Sequence, residues 1–125
     1  MRSVTLFLSL LLVYSCNFSD YVRDLPGSYK YYDEGGSFKV IYGGVKNRSV
    51  IPCTVLRYKF NNDFIIAFQK AANKCHFPNE VEQELGISYY WIIDVKKDSL
   101  YRFSNQKKYL QKRRELGIPK KLQFE

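Results

Sequence analysis

Apolar and polar residues alternate along most of this chain, and Gly, Asn and Asp clusters interrupt the alternation, which is the signature of short strands joined by turns. Residues 29–32 and 38–42 flank Asp33-Glu34-Gly35-Gly36 and predict a hairpin, with Phe38, Val40 and Tyr42 on one face of its second strand. Gly43-Gly44 then opens a loop to about Ser49. Between residues 50 and 71, Thr54, Leu56, Tyr58 and Phe60 share a face of one run, and Phe64, Ile66 and Phe68 share a face of the next. A two-residue Asn-Asn turn would set these groups on opposite faces, because a one-residue slip inverts every side chain. A three-residue Asn61-Asn62-Asp63 loop pairs Phe60 with Phe64 and Tyr58 with Ile66, and is the expected register. In the polar stretch 73–86, Asn79 and Glu82 suit the start of a short helix that Gly86 closes. Residues 88–95 form the strongest strand, with Tyr89, Trp91, Ile93 and Val95 on one face; Lys96-Lys97-Asp98-Ser99 then turns into 100–103.

From Ser104 to Leu116 the period changes to that of a helix, with Ser104 as N-cap, Gly117 as the residue after the last turn and Pro119 as a stop. Its apolar stripe (Phe103, Tyr109, Leu110, Leu116) is thin, so it should lie on the surface of the body. The connections are too short for repeated parallel crossovers. The expected fold is therefore α+β, mainly β: a single small domain with a mostly antiparallel sheet of five to six strands and a C-terminal surface helix. With 125 residues the chain is one domain, not a repeat array or a multi-span membrane protein.

The first residues follow a different pattern. Met1-Arg2 is a short positive start, and residues 4–13 are apolar at eight of ten positions. Such a run is too short to cross a bilayer, which takes about 20 helical residues, but it fits a secretory signal peptide over residues 1–15. Residues 16–28 read as a tether, with Pro26-Gly27 as a turn, and residues 29–125 as the globular domain, ending in a basic helix and tail at about 102–125.

Val13-Tyr14-Ser15-Cys16 resembles the lipobox of bacterial lipoproteins: an aliphatic residue, a tolerant position, a small residue and then Cys. The resemblance implies that Cys16 is acylated and becomes the first residue of the mature protein. One acyl chain holds a protein to a membrane only marginally, whereas two or three hold it durably.

Export changes how charge and cysteines are read. The net charge of +8 is concentrated at one end: residues 16–101 carry eleven basic and ten acidic residues, and residues 102–125 carry eight basic and two acidic. Lys107, Lys108, Lys112, Arg113, Arg114, Lys120 and Lys121 are thus candidate contacts to an anionic surface. Basic charge with many aromatics would also suit nucleic acid, but an exported chain makes no nucleic acid the expectation. Cys53 and Cys75 are available to form a disulfide, worth about 3 kcal/mol for a loop of this size. Two separate thiols are the alternative that spacing leaves open.

Little else in the sequence carries chemistry. Adjacent Cys75-His76 side chains point apart on an extended chain, and no other His exists to serve as a base. One His and three Cys leave few ligands for a closed zinc site, so no metal and no cofactor is expected. Asp94 with Asp63 or Glu80 could act as paired carboxylates on a sugar polymer only if the fold brought them together. The aromatic runs at Tyr29, Tyr31 and Tyr32 and at Tyr89, Tyr90 and Trp91 should serve mainly as core, with Tyr32 and Tyr90, on the faces opposite their neighbours, as the exposed exceptions.

Three segments resemble a family of small bacterial lipoproteins of uncharacterised function. They are Ser19-Asp20-Tyr21-Val22 through Leu25-Pro26-Gly27 and Tyr29, then Tyr90-Trp91-Ile92-Ile93-Asp94, and last Arg113-Arg114-Glu115-Leu116-Gly117-Ile118-Pro119-Lys120-Lys121-Leu122. The resemblance implies a single-domain, lipid-anchored envelope protein and offers no activity to transfer; separately, a monomer is expected. The expected function is non-enzymatic binding of an envelope protein, a glycan or an anionic surface, with the membrane reached through acylated Cys16. The alternative is an inhibitor or immunity-type lipoprotein that blocks an attacking enzyme, presenting Lys96-Lys97 or the loop at residues 75–77.

Overall fold

The computed structural model describes residues 21–44, 48–72 and 86–124, without the side chains of residues 48–50. Eight strands and one helix follow one another: β1 (Tyr21–Asp24), β2 (Tyr29–Asp33), β3 (Lys39–Gly43), β4 (Arg48–Ile51), β5 (Val55–Phe60), β6 (Phe64–Lys70), β7 (Ser88–Asp94), β8 (Ser99–Phe103) and α1 (Gln106–Leu116). They form two antiparallel four-stranded meanders, β1-β2-β3-β4 and β5-β6-β7-β8, each in chain order. The mainly β class, the antiparallel pairing and the C-terminal helix are as expected. The strands divide into two sheets instead of forming one of five or six.

The division follows from side-chain pattern. Tyr29, Tyr31 and Ile41 of the first sheet share a core with Ile65, Ala67, Tyr89, Trp91 and Ile93 of the second. Full burial of an aliphatic or aromatic side chain of this size is worth roughly 1.5–3 kcal/mol. The second sheet is covered on its other face too: Ile66 and Ile92 pack with Tyr109 of α1 and with Ile118 and Leu122 of the segment after it. β6 and β7 are central strands buried on both faces, which explains the continuous apolar runs Phe64–Phe68 and Tyr89–Ile93.

Three expectations are corrected. Residues 21–24, assigned to the tether, form strand β1 on β2, with Tyr21 opposite Asp33 and Arg23 opposite Tyr31. The loop after Gly44 is shorter than expected, since β4 begins at Arg48. At the β5–β6 turn Phe60 lies opposite Ile65, not Phe64, and Tyr58 lies opposite Ala67. The Asn61 carboxamide oxygen accepts the N–H groups of Asp63 (2.9 Å) and Phe64 (2.8 Å), which draws Asn61 and Phe64 into the ladder and leaves Asn62-Asp63 as the loop. The expected register assumed that both apolar sets must face one core. Instead Phe64 and Ile66 face the helix, while Tyr58 and Phe60 face the first sheet. An irregularity between Val55 and Arg57 then reverses the start of β5, burying Val55 and leaving Leu56 51% exposed.

The helix begins one residue later than the Ser104 cap implied. Asn105 is the N-cap, its side chain accepting from Lys107 N (2.8 Å) and Lys108 N (3.2 Å). Gly117 closes the helix in the left-handed conformation at φ 69°, as its position predicted. The short helix expected from Asn79 to Gly86 lies outside the described residues, apart from Gly86.

Candidate functional site

The chain after α1 turns back over the outer face of the second sheet, and its anchors are Ile118 and Leu122, both buried. This segment divides the basic side of the molecule into two cavities. One, of about 620 Å³, is lined by Arg23, Tyr58, Lys59, Phe60, Asn61, Lys121 and Leu122. The other, of about 360 Å³, lies between β5, β6, β7 and the helix, and includes Arg57, Tyr90, Gln106, Tyr109, Arg113 and Gln123. Among the described residues, neither lining contains a carboxylate. The irregularity in β5 makes this possible, because it sends Arg57 outwards next to Phe68 while Tyr58 turns inwards.

Aromatic rings hold the cations in place. The Arg23 guanidinium lies 5.0 Å from the centroid of Phe60, and that of Arg57 lies 5.3 Å from Phe68 and 5.9 Å from Phe124. Tyr90 and Tyr109 stack at 4.7 Å across the sheet–helix junction. Tyr32 and Tyr90 were expected to be exposed on the faces opposite their neighbours; both are instead half-buried, Tyr90 because the helix packs over it and Tyr32 because it packs on Val40 and Cys53.

Three phenols on this side are shifted in one direction. Burial pushes Tyr31 up to about 12 from 10.0, and the neighbouring Asp33 carboxylate adds to the rise. Burial also raises Tyr58 and Tyr109, opposed by their hydrogen bonds to Arg23 and Arg113 respectively. The folded chain thus holds these protons more tightly than the unfolded chain does. The contribution of Tyr31 to stability is complete below pH 10.0 and is lost as pH rises towards about 12. The denaturant midpoint should fall across that interval, and Tyr31→Phe should make the fall shallower. An unchanged alkaline slope in the Tyr31→Phe protein would refute the assignment.

The basic candidates from the sequence separate into two groups. Lys107, Lys108, Arg114, Lys120 and Lys121 are exposed and available to a partner surface. Lys112 is half-buried, 4.6 Å from the Tyr101 centroid and 3.4 Å from the Glu115 carboxylate. Arg113 corrects the surface reading: it is only 8% exposed and donates to Tyr109 Oη and to the Pro119 carbonyl, both at 3.2 Å. Its helix face is the same as that of Tyr109, four residues earlier, and this turns it towards the sheet.

Arg23, Arg57 and Lys59 were not among the sequence candidates. For Arg57 and Lys59 the available signal was their interleaving with Tyr58 and Phe60, but the β5 irregularity that turns Arg57 outwards leaves no mark in composition, and Arg23 arrives from β1, in the segment that reads as a tether.

The remaining candidates have local partners or fall outside the description. Asp94 is buried and accepts the Lys97 N–H at 3.3 Å, and Asp63 pairs with Lys96 at 3.1 Å; Glu80 lies outside the described residues. Cys53 is buried beside Val40, with Tyr32, Phe38 and Ala72 around it. Its proposed partner Cys75, the loop at 75–77 and the lipobox residue Cys16 all lie outside the described residues. Among the described residues no group of three His, Cys, Asp or Glu side chains could hold a metal ion, and no helix is long and apolar enough to cross a membrane.

Searches of curated proteins and of solved structures give no match. A family described as "Protein of unknown function (DUF3997)" matches residues 27–125, from the turn before β2 to the last residue of the sequence. The chain belongs to this DUF3997 family.

Proposed function

We propose that the chain is a non-enzymatic, lipid-anchored module of a bacterial cell envelope, held by an acylated Cys16 and directed at an anionic partner surface. The observation that carries this reading is the exposure of its positive charge. Lys107, Lys108, Arg114, Lys120 and Lys121 are exposed on the helix and the segment after it, and Lys121 lines a cavity with Arg23 and Lys59 in which the described residues supply no carboxylate. A body tethered at its N-terminus gains about 1 kcal/mol for each Lys or Arg brought close to an anionic leaflet. The exported environment of this reading also suits a Cys53–Cys75 disulfide.

Expression in a bacterial host with labelled palmitate should label the parent chain and not Cys16→Ala; equal labelling of both would eliminate the anchor. The basic side is tested separately, with unlipidated protein and vesicles of phosphatidylcholine with or without phosphatidylglycerol. Replacing Lys107, Lys108, Lys120 and Lys121 by Gln should reduce partitioning onto the anionic vesicles by roughly a thousandfold, at about 1 kcal/mol for each lysine. Equal partitioning of the parent protein onto neutral and anionic vesicles would remove the anionic surface from the proposal.

A further inference from the structure

The 360 Å³ cavity beneath α1 poses a problem of charge that the surface reading does not address. Arg113 is more than nine-tenths buried, yet among the described residues its guanidinium meets a phenol oxygen, a peptide carbonyl and, at 5.7 Å, the Tyr109 ring, all of them uncharged. Among the described residues it has no carboxylate partner. A guanidinium has five N–H donors, and two acceptors account for only part of that capacity. A buried cation without a counter-charge is a costly arrangement. Here it is maintained against the wall of a cavity, where a second guanidinium, Arg57, is positioned by Phe68 and Phe124.

We propose that this cavity binds a small organic anion, with an oxyanion head between Arg113 and Arg57 and an apolar or planar body against the rings of Tyr90 and Tyr109. The planar forks of two guanidiniums suit the paired oxygens of a phosphate or carboxylate. The carboxamides of Gln106 and Gln123, both exposed at the rim, can hydrogen-bond polar substituents of the ligand. The volume lies within the range of small-ligand sites, about 300–1,000 Å³. The bound anion would supply the counter-charge that Arg113 lacks, and no such ligand requires the lipid anchor or a membrane.

Phenyl phosphate, benzoate, inorganic phosphate and benzamidine, titrated into the full chain and followed by calorimetry and thermal shift, test the proposal. Saturable binding of phenyl phosphate or benzoate is expected, and whichever binds more tightly identifies the head group as phosphate or carboxylate. Inorganic phosphate should bind at least tenfold more weakly than phenyl phosphate if that ester is the ligand. Benzamidine, the cationic control, should not bind.

Arg57→Gln should weaken the preferred anion at least tenfold, with the ligand-free protein still folded and its melting temperature lowered only by the loss of the side chain's own contacts with Phe68, Phe124 and its other neighbours. Arg113→Gln should do the same, but it can also disturb packing, so Arg57→Gln is the deciding variant. The Lys107, Lys108, Lys120 and Lys121→Gln protein should bind the anion within twofold of the parent, even though its vesicle partitioning is reduced. Failure of both aromatic anions to bind would overturn the proposal, as would full retention of affinity in Arg57→Gln. Loss of affinity in the four-lysine variant alone would move the anion to the helix surface and overturn the cavity.

Discussion

Gln69→Leu should destabilise the chain by about 1–3 kcal/mol, because it leaves the buried Trp91 indole N–H without a partner, while the Cys53 carbonyl keeps the Ala72 N–H at 3.3 Å. Gln69 is 0% exposed at the last position but one of β6, where a glutamine is out of place in an apolar strand. Its carboxamide oxygen accepts the Trp91 indole N–H at 2.8 Å, and its nitrogen donates to the Cys53 carbonyl at 3.0 Å. One side chain thus joins β7 to the crossing between β4 and β5, where the chain passes from the first sheet to the second. Leucine has similar volume, so the loss should come from hydrogen bonding and not from a cavity. Adding Trp91→Phe to Gln69→Leu removes the orphaned indole donor. A double-mutant cycle in denaturant should accordingly give a coupling energy above about 1 kcal/mol. A Gln69→Leu loss below about 0.5 kcal/mol, the scale of an ordinary surface change, would show that the bridge contributes nothing.

Gln69 also marks where sequence reading reached its limit. The strands at 29–32, 38–42 and 88–95 and the Gly117 helix stop were legible because each is specified locally, by period-two alternation or by one turn residue. The Tyr89-Trp91-Ile93 face was legible for the same reason. The partition into two sheets was not, because it depends on what covers each face, and alternation reports only that a face is apolar. β6 shows this directly. Its two faces carry Ile65 and Ala67 on one side and Phe64 and Ile66 on the other, and only the helix behind it explains why both are apolar.

The same limit governed the candidate site. The concentration of charge after residue 101 was plain from composition. Which of those cations reach solvent depends on helix phase against the sheet, and that phase turns Arg113 inwards while Arg114 remains exposed. Arg57 owes its outward direction to the irregularity of β5, a long-range consequence of pairing with β6 that no local residue pattern announces.

Gly43→Ala should cost about 2–5 kcal/mol, the sum of a strained backbone conformation and an overlap that cannot be relieved by rotating a side chain. Gly43 ends β3 opposite Tyr29 with φ +118°, a conformation that L side chains rarely adopt. A Cβ there would stand 2.3 Å from the Ser28 carbonyl oxygen and 3.1 Å from Tyr29 Cα, so backbone would meet backbone. The Ser28 carbonyl is already engaged, accepting from Gly44 N at 3.2 Å, and moving it would disturb the turn that leads from β1 into β2. Tyr29 lies in the shared core, and its hydroxyl donates to Asp98 in the β7–β8 turn, so a displaced β2 start would pull on the second sheet as well. Gly35 provides the comparison. It too has positive φ, +89°, but a Cβ there would meet nothing within 4 Å. Gly35→Ala should therefore cost only the conformational part, about 1–2 kcal/mol. If denaturant titration gave the two alanine substitutions equal losses, the close approach of Ser28 to β3 would contribute nothing to the cost at Gly43, and the tight junction between the first turn and the sheet would have to be abandoned.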